Sequence, residues 1–193
     1  MEITTETLKM LRDKTGVSVM QCKKALEEAN GDIDQAEVIL RKRSGAAADK
    51  KADRELGAGA VASYIHGGEI GAMVLLSCET DFVARNEEFP QLAREIAMQV
   101  AATNPSYLAD TDISEEARTA AMAVFKEEVK DKPADMQEKI LEGKMKSYFK
   151  DQVLLEQAYI KDDTKTVRDL ITEASQKFGE RVEVTRFVRF SAR

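Results

Sequence analysis

Histidine is nearly absent from this chain, which has one, His66, and cysteine occurs only twice, as Cys22 and Cys78. Any Ser-His or Cys-His mechanism must therefore run through His66, with Cys78 as the natural nucleophile. The two cysteines lie in different segments without CxxC spacing, so they offer neither a zinc site nor a disulfide frame; they fit small apolar packing residues in a reducing compartment. Long apolar runs are missing too. The acidic start, Met1-Glu2-Ile3-Thr4-Thr5-Glu6, stands where a signal or transit peptide would be basic. A cytoplasmic protein with no membrane partner is expected. An excess of positive charge is also lacking: 29 basic side chains face 35 acidic ones, a net charge of −6, which argues against a sequence-independent grip on nucleic-acid phosphates. The one basic cluster, Arg41-Lys42-Arg43 continuing through Lys50, Lys51 and Arg54, is diluted by alanines and aspartates and reads as a solvated helix end and linker. Gly57-Ala58-Gly59 precedes a strand instead of following one and opening a helix, so it is no phosphate cradle. No cofactor is expected.

What remains is a chain of 193 residues, 43% hydrophobic and 33% charged, able to bury a real core. Its first forty-odd residues are heavily punctuated. Thr4 or Thr5 caps a helix carrying Leu8, Leu11 and Met10 inward, ended by Thr15-Gly16. Ser18, with Gln21 three residues on, opens a second helix whose apolar side is Met20, Ala25, Leu26 and Ala29, and Asn30-Gly31 stops it. Asp32, with Gln35, caps a third that buries Ile33, Ala36, Val38, Ile39 and Leu40. Each helix is too short to stand alone, so the three must pack together. Residues 1–45 are expected to form this three-helix module, and 46–56, beginning Ala46-Ala47-Ala48, a linker that keeps some helix.

From Gly57 the periodicity becomes strand-like. Val61, Tyr64 and Ile65 lead to Gly67-Gly68, and Glu69 to Ser77 returns, which predicts a hairpin. A helix over 89–102 follows, with Pro90 in its first turn and Leu92, Ile96, Met98 and Val100 spaced for burial. Ser114 caps a helix to about Lys130. Lys132-Pro133 breaks the chain, and Ala134 to about Lys150 completes an antiparallel helical hairpin, its stripe of Ala117, Ala121, Val124 and Phe125 packed on Met136, Ile140, Met145, Tyr148 and Phe149. After Leu154-Leu155, Thr164 or Thr166 starts a last helix to Phe178, Gly179 ends it, and Arg181 to Phe190 is a closing strand. Residues 57–193 therefore read as an α+β core with an antiparallel sheet and a helical hairpin at 114–150 that can project from it.

Cys78-Glu79-Thr80-Asp81-Phe82-Val83-Ala84-Arg85 stands apart. It follows the apolar Met73-Val74-Leu75-Leu76 and precedes a helix entry at Asn86-Glu87-Glu88-Phe89-Pro90, so an acid and a large ring sit at a strand-to-helix junction. The ring is either a plug for this protein's core or an anchor for another protein. A core phenylalanine cut to alanine costs about 3–5 kcal/mol of stability; an anchor would cost binding instead. The catalytic alternative fares badly. With the turn at Gly67-Gly68, His66 pairs with Glu69, and Cys78 lies ~30 Å further along the ribbon at the strand rise.

Leu11-Arg12-Asp13-Lys14-Thr15-Gly16, Met20-Gln21-Cys22-Lys23-Lys24-Ala25-Leu26 and Ala29-Asn30-Gly31-Asp32 closely resemble the amino-terminal module of the elongation factor Ts family. Tyr64-Ile65-His66, the segment 78–85, Ile96-Ala97-Met98-Gln99-Val100-Ala101-Ala102, Tyr107-Leu108, Glu138-Lys139-Ile140 with Glu142-Gly143, and Arg186-Phe187-Val188-Arg189-Phe190 continue the resemblance in order along the chain. It implies a guanine-nucleotide exchange factor, not an enzyme, acting on the GTPase elongation factor Tu, with an amino-terminal module similar to ubiquitin-associated domains. It implies that Thr80, Asp81, Phe82 and Val83 meet the GTPase, Asp81 and Phe82 wedging in to disturb its Mg²⁺ and phosphate site. Met20, Lys23 and His66 match secondary contacts. Longer members carry two related core halves, whereas this chain has one and resembles the short form. A single half predicts a homodimer with twofold symmetry.

Overall fold

The computed structural model describes residues 3–130 and 133–192, apart from the side chains of 46–49, 134 and 135; Met1, Glu2 and Lys132, used above, lie outside the described residues. The described chain is mixed helix and sheet. Helices α1 (Thr5–Thr15), α2 (Val19–Glu28) and α3 (Ile33–Asp49) come first, then strands β1 (Ala58–His66) and β2 (Ile70–Cys78), a single helical turn α4 (Asp81–Ala84) and α5 (Glu88–Thr103). Helices α6 (Glu115–Val129) and α7 (Ala134–Lys150), strands β3 (Ala158–Tyr159) and β4 (Asp162–Thr166), helix α8 (Val167–Phe178) and strand β5 (Val182–Ser191) complete it. One sheet has the order β1-β2-β5; β3 and β4 form a separate antiparallel pair.

The chain divides into two compact units, one made of Met1–Val61, Leu75–Gln91 and Asp169–Thr185, the other of Ala62–Val74, Leu92–Arg168 and Arg186–Arg193. In the first unit the helix punctuation works as the spacing predicts. Thr4 accepts from the Thr7 N–H, Ser18 from Gln21 and Asp32 from Gln35, and Gly16 takes the left-handed conformation at φ 66° that ends α1. Leu11, Val17, Cys22, Ala25, Leu26, Ala29, Ala36 and Leu40 form the buried centre of α1, α2 and α3. Met10, Met20 and Val38 do not join it; they are exposed, a correction to the expected apolar faces. Met20 is two residues from Cys22, about 200° around the helix, and Met10 one residue, about 100°, from Leu11, so neither can share the narrow stripe that meets the neighbouring helices. Helix α3 runs on through the alanine-rich stretch to Asp49, and the Ser44 hydroxyl inside it is buried and donates to the Leu40 carbonyl at 2.9 Å.

The carboxyl end of α8 gathers the rest of this unit. Phe178 meets the fully buried Phe89 edge-to-face at 5.8 Å between ring centres. Gln176 bonds to Ser44 and, at 3.4 Å, to Gln21; Lys51 donates to the Ser175 carbonyl at 2.8 Å; Lys177 pairs with Glu88. The Lys177 side chain also lies against Gly16, where an added Cβ would sit 3.0 Å from its methylenes.

In the second unit β1 and β2 meet at Gly67-Gly68, with φ of 57° and 75°, and the Glu69 N–H donates to the His66 carbonyl at 3.0 Å. Two consecutive positive φ angles make this the mirror-image turn whose twist suits a two-residue hairpin. Helices α6 and α7 pack together around Ile113, Ala121, Phe149 and Val153. Val124 and Met136 of the expected stripe are exposed instead, since the contact between two helices buries a narrow seam; Tyr148 stays half in solvent but meets Phe125 of the facing helix edge-to-face at 5.5 Å between ring centres. The β3–β4 pair is an addition to the expected elements after Leu154-Leu155, and Thr164 and Thr166, the expected starts of the last helix, fall in β4, so α8 begins at Val167. Buried Gln99 organises it, donating to Gln157 Oε1 at 3.0 Å and the Ala158 carbonyl at 3.1 Å and accepting from the Ile160 N–H at 2.9 Å. A strand this short carries too little alternation to register in sequence.

Gly59 of β1 has no room for a side chain, because a Cβ there would stand 2.6 Å from the Leu76 carbonyl oxygen of β2. Gly59→Ala is expected to destabilise the protein by about 1–3 kcal/mol through this overpacking. Urea unfolding of the two proteins checks it.

Candidate functional site

Strand β2 ends at Cys78, whose buried thiol donates to the Thr80 carbonyl at 3.2 Å and turns the chain out of the sheet. Thr80 has extended backbone and stands at the N-cap of α4, and the Ala84 N–H closes the helical turn onto the Thr80 carbonyl at 3.2 Å. Successive side chains of this turn are about 100° apart, so Phe82 and Val83 face different ways. Val83 is buried and faces this protein's own interior, while Phe82 keeps 82% of its surface in solvent. Seven residues on, Phe89 is the plug. Asp81 pairs with Arg85 one turn later at 3.1 Å, both groups largely exposed, so the ring is flanked by one acid and one base held at helical spacing.

Two carboxylates hold this turn. Glu180, just after Gly179 ends α8 at φ 75°, accepts the Glu79 and Thr80 N–H groups on Oε2 at 3.1 and 3.0 Å and the Thr80 hydroxyl on Oε1 at 2.6 Å. Glu79 answers in the other direction, accepting the Arg181 N–H at 2.5 Å and the Arg54 guanidinium at 3.1 Å on Oε1. The Arg181 guanidinium closes the set, donating to the Arg54 carbonyl at 2.5 Å and to Glu183 at 2.8 Å. Burial acts to raise the Glu79 pKa, but the Arg181 N–H and the Arg54 guanidinium outweigh it and hold the carboxyl below its ordinary value. None of Arg54, Glu180 and Arg181 was singled out in sequence for this site. Glu79 and Glu180 are a hundred residues apart and no spacing rule connects them.

The secondary positions lie elsewhere. Met20 and Lys23 are exposed on α2, three residues apart and so on one helix face, with Lys23 paired to Glu27 at 3.9 Å. His66 belongs to the second unit, exposed at the hairpin turn, its Nδ1 hydrogen-bonded to the Tyr64 hydroxyl at 3.1 Å. Cys78 makes a poor nucleophile: it is fully buried, and burial followed by the nearby Glu180 charge pushes its thiol pKa up, away from the thiolate that nucleophilic attack requires. Among the described residues no cluster of His, Cys, Asp and Glu is arranged to hold a metal ion.

A sequence profile of the family described as Elongation factor TS matches residues 48–193. The chain belongs to the elongation factor Ts family. An elongation factor Ts from Thermodesulfovibrio yellowstonii is 51% identical over 191 residues, covering 98% of this chain and 96% of that relative. One from Thermotoga maritima is 47% identical with the same coverage, and one from Carboxydothermus hydrogenoformans is 47% identical over 97% of this chain and 88% of its own length. The profile begins within α3, whereas the relatives align over α1 and α2 as well, so the family likeness extends to the three-helix segment. Elongation factor Ts is a translation elongation factor, and α4, the side chains of Arg54, Glu79, Glu180 and Arg181 that hold it, and β5 all fall inside the matched span.

Because the Glu79 pKa is depressed in the fold, its contribution to stability is complete above the unfolded value and is lost as pH falls through the folded one. The wild type is therefore expected to lose more stability than Glu79→Gln on acidification from neutral pH to below 4.5. Denaturant unfolding across that range checks it, and parallel curves would contradict it.

Proposed function

We propose that this chain binds elongation factor Tu in its GDP-bound form and promotes GDP release and GTP exchange, with Asp81 and Phe82 wedging into the GTPase domain and disturbing its Mg²⁺ and phosphate site. The observation that carries this reading is the exposure of Phe82 on a turn braced by buried and charge-assisted contacts. An unanchored ring would fold back onto apolar surface; this one is held out, with 82% of its area free to be buried by a partner.

The physical logic needs no bond chemistry, so the chain acts as an exchange factor and not as an enzyme. Mg²⁺ bridges nucleotide phosphates in an octahedral shell that tolerates little displacement, and moving one ligand loosens the nucleotide. Exchange is then a coupling between two ligands of the GTPase: whatever factor by which this protein weakens GDP, GDP weakens this protein equally. Thr80 and Val83 contribute by fixing the turn. Met20 and Lys23, on the exposed face of a three-helix module similar to ubiquitin-associated domains, and His66 at the hairpin supply further contacts. The setting proposed for it is the cytoplasm, where translation elongation takes place. Among the described residues no helix is long and apolar enough to cross a membrane.

The same reading includes a homodimer. In the second unit the sheet leaves Ile65 of β1 70% and Phe190 of β5 68% exposed. Apolar side chains of this size left open on sheet strands suit burial in a self-complementary twofold contact.

Two measurements test these claims. Burying a phenylalanine is worth roughly 1.5–3 kcal/mol, so Phe82→Ala is expected to lower exchange activity by about one to two decades while leaving the thermal melt unchanged. Stopped-flow release of fluorescent GDP from elongation factor Tu reads this directly, and no acceleration by the wild type would overturn the exchange reading. Sedimentation equilibrium should find a dimer for the wild type and a monomer for Phe190→Asp; a monomeric wild type would remove the dimer.

A further inference from the structure

We propose that Glu180 is the positioning residue for the exchange wedge: its carboxylate sets the entry of α4 and thereby the direction in which Phe82 is presented. This rests on the exchange reading above and goes beyond it, because it gives Glu180 a role within this chain and not at the GTPase. It acts through Thr80.

The geometry has three parts. First, α4 cannot direct itself, since a single helical turn closed by the Ala84 N–H on Thr80 and the Arg85 N–H on Asp81 has too few internal bonds to define its own axis. Its direction must come from where it is anchored. Secondly, at the amino-terminal anchor Glu180 takes every polar hydrogen of Thr80, backbone and side chain, together with the Glu79 N–H. Those bonds fix the residue immediately before Asp81 and orient the peptide plane leading into it. A threonine hydroxyl at an N-cap ordinarily turns inward to its own helix; here it makes no such cap and is given to Glu180 instead. Thirdly, Glu180 is itself rigidly placed. Gly179 supplies the left-handed turn before it, Phe178 meets Phe89 edge-to-face, and Arg181 behind it is bound to Glu79, Arg54 and Glu183.

The same junction reaches the other contact surface in this unit. Two residues before Phe178, Gln176 bonds to Gln21 of α2, the residue between Met20 and the buried Cys22, and Lys177 lies under Gly16. The six residues from Gln176 to Arg181 thus hold α2 and α4 to one short piece of backbone. The wedge and the α2 contact are presented as a pair by that junction, and Glu180 is the link on the wedge side.

The test is stopped-flow release of fluorescent GDP from elongation factor Tu over a range of exchange-factor concentrations, with wild type, Phe82→Ala, Glu180→Ala and the double variant, each melted first. Glu180→Ala is expected to lower the maximal release rate about ten-fold, the consequence of losing charge-assisted hydrogen bonds at the entry of α4, with the half-saturating concentration little changed because the α2 contact survives. In the Phe82→Ala background the same substitution should cost nothing further, since the group it positions is gone. A merely structural role would instead lower activity equally in both backgrounds. Glu180→Gln, which keeps the volume and one acceptor oxygen, should fall between wild type and Glu180→Ala. Thr80→Val, which removes a single bond of the set, gives the same reading should Glu180→Ala melt early. A full maximal rate for Glu180→Ala, or equal losses in the two backgrounds, overturns the proposal while leaving the exchange reading intact; a wild type that does not accelerate release removes both.

Discussion

The crossed pair of carboxylates, Glu180 receiving the N–H groups of Glu79 and Thr80 while Glu79 receives that of Arg181, ties the end of β2 to the start of β5 through side chains where the ladder itself has run out. Each acid accepts donors that would otherwise be left at the frayed end of a strand, and each is an ionised acceptor, so the bonds are of the stronger, charge-assisted kind. The Arg54 guanidinium compensates Glu79 at 3.1 Å and carries the tie back to the segment that follows α3. Without that tie α4 would be a four-residue turn at the end of a strand, with no reason to hold one orientation.

Two phenylalanines seven residues apart show how the chain divides its labour. Phe89 is fully buried against Phe178 and is, among the described residues, the largest side chain to be so; Phe82, on the turn before it, stays out. Neither differs from the other in chemistry. The distinction is that Phe89 falls on the inner side of α5, while on α4 the inward position is taken by Val83. Exposing a ring is unfavourable by itself, and the favourable contacts of Val83, Cys78 and Glu180 offset it locally. The result is a protein that can present an apolar group without depending on that group for its own stability.

The exchange role proposed above requires differential binding. In that role the factor has to hold the GTPase with its Mg²⁺ shell disturbed more tightly than with the shell intact, and only the difference between those two affinities drives release. A wedge that swivelled would give much of that difference back to conformational freedom. Rigidity at the anchor and exposure at the tip are therefore two halves of one requirement, and the α8–β5 junction meets the first of them for this turn.

Much of the architecture is local and was legible. Thr4, Ser18, Asp32 and Ser114 accept the N–H groups three residues on, Gly16 and Gly179 end helices through positive φ, and Gly67-Gly68 turns the hairpin, because caps and turns are decided within four residues of chain. The signature at 80–83 was marked by its position after an apolar strand and by family resemblance, but whether Phe82 pointed in or out was not decided there. Nor were the exposure of Met10, Met20, Val38 and Tyr148, the short β3–β4 pair, or the roles of Arg54, Glu180 and Arg181. By itself the sequence determined the elements, their ends and the candidate turn, since these depend on short-range periodicity and on residues that accept or forbid a backbone conformation. Only the tertiary structure decided which apolar faces find a neighbour and which distant carboxylate takes up the N–H groups of Thr80, because those outcomes depend on what lies across space, and a hundred residues of chain separate the partners.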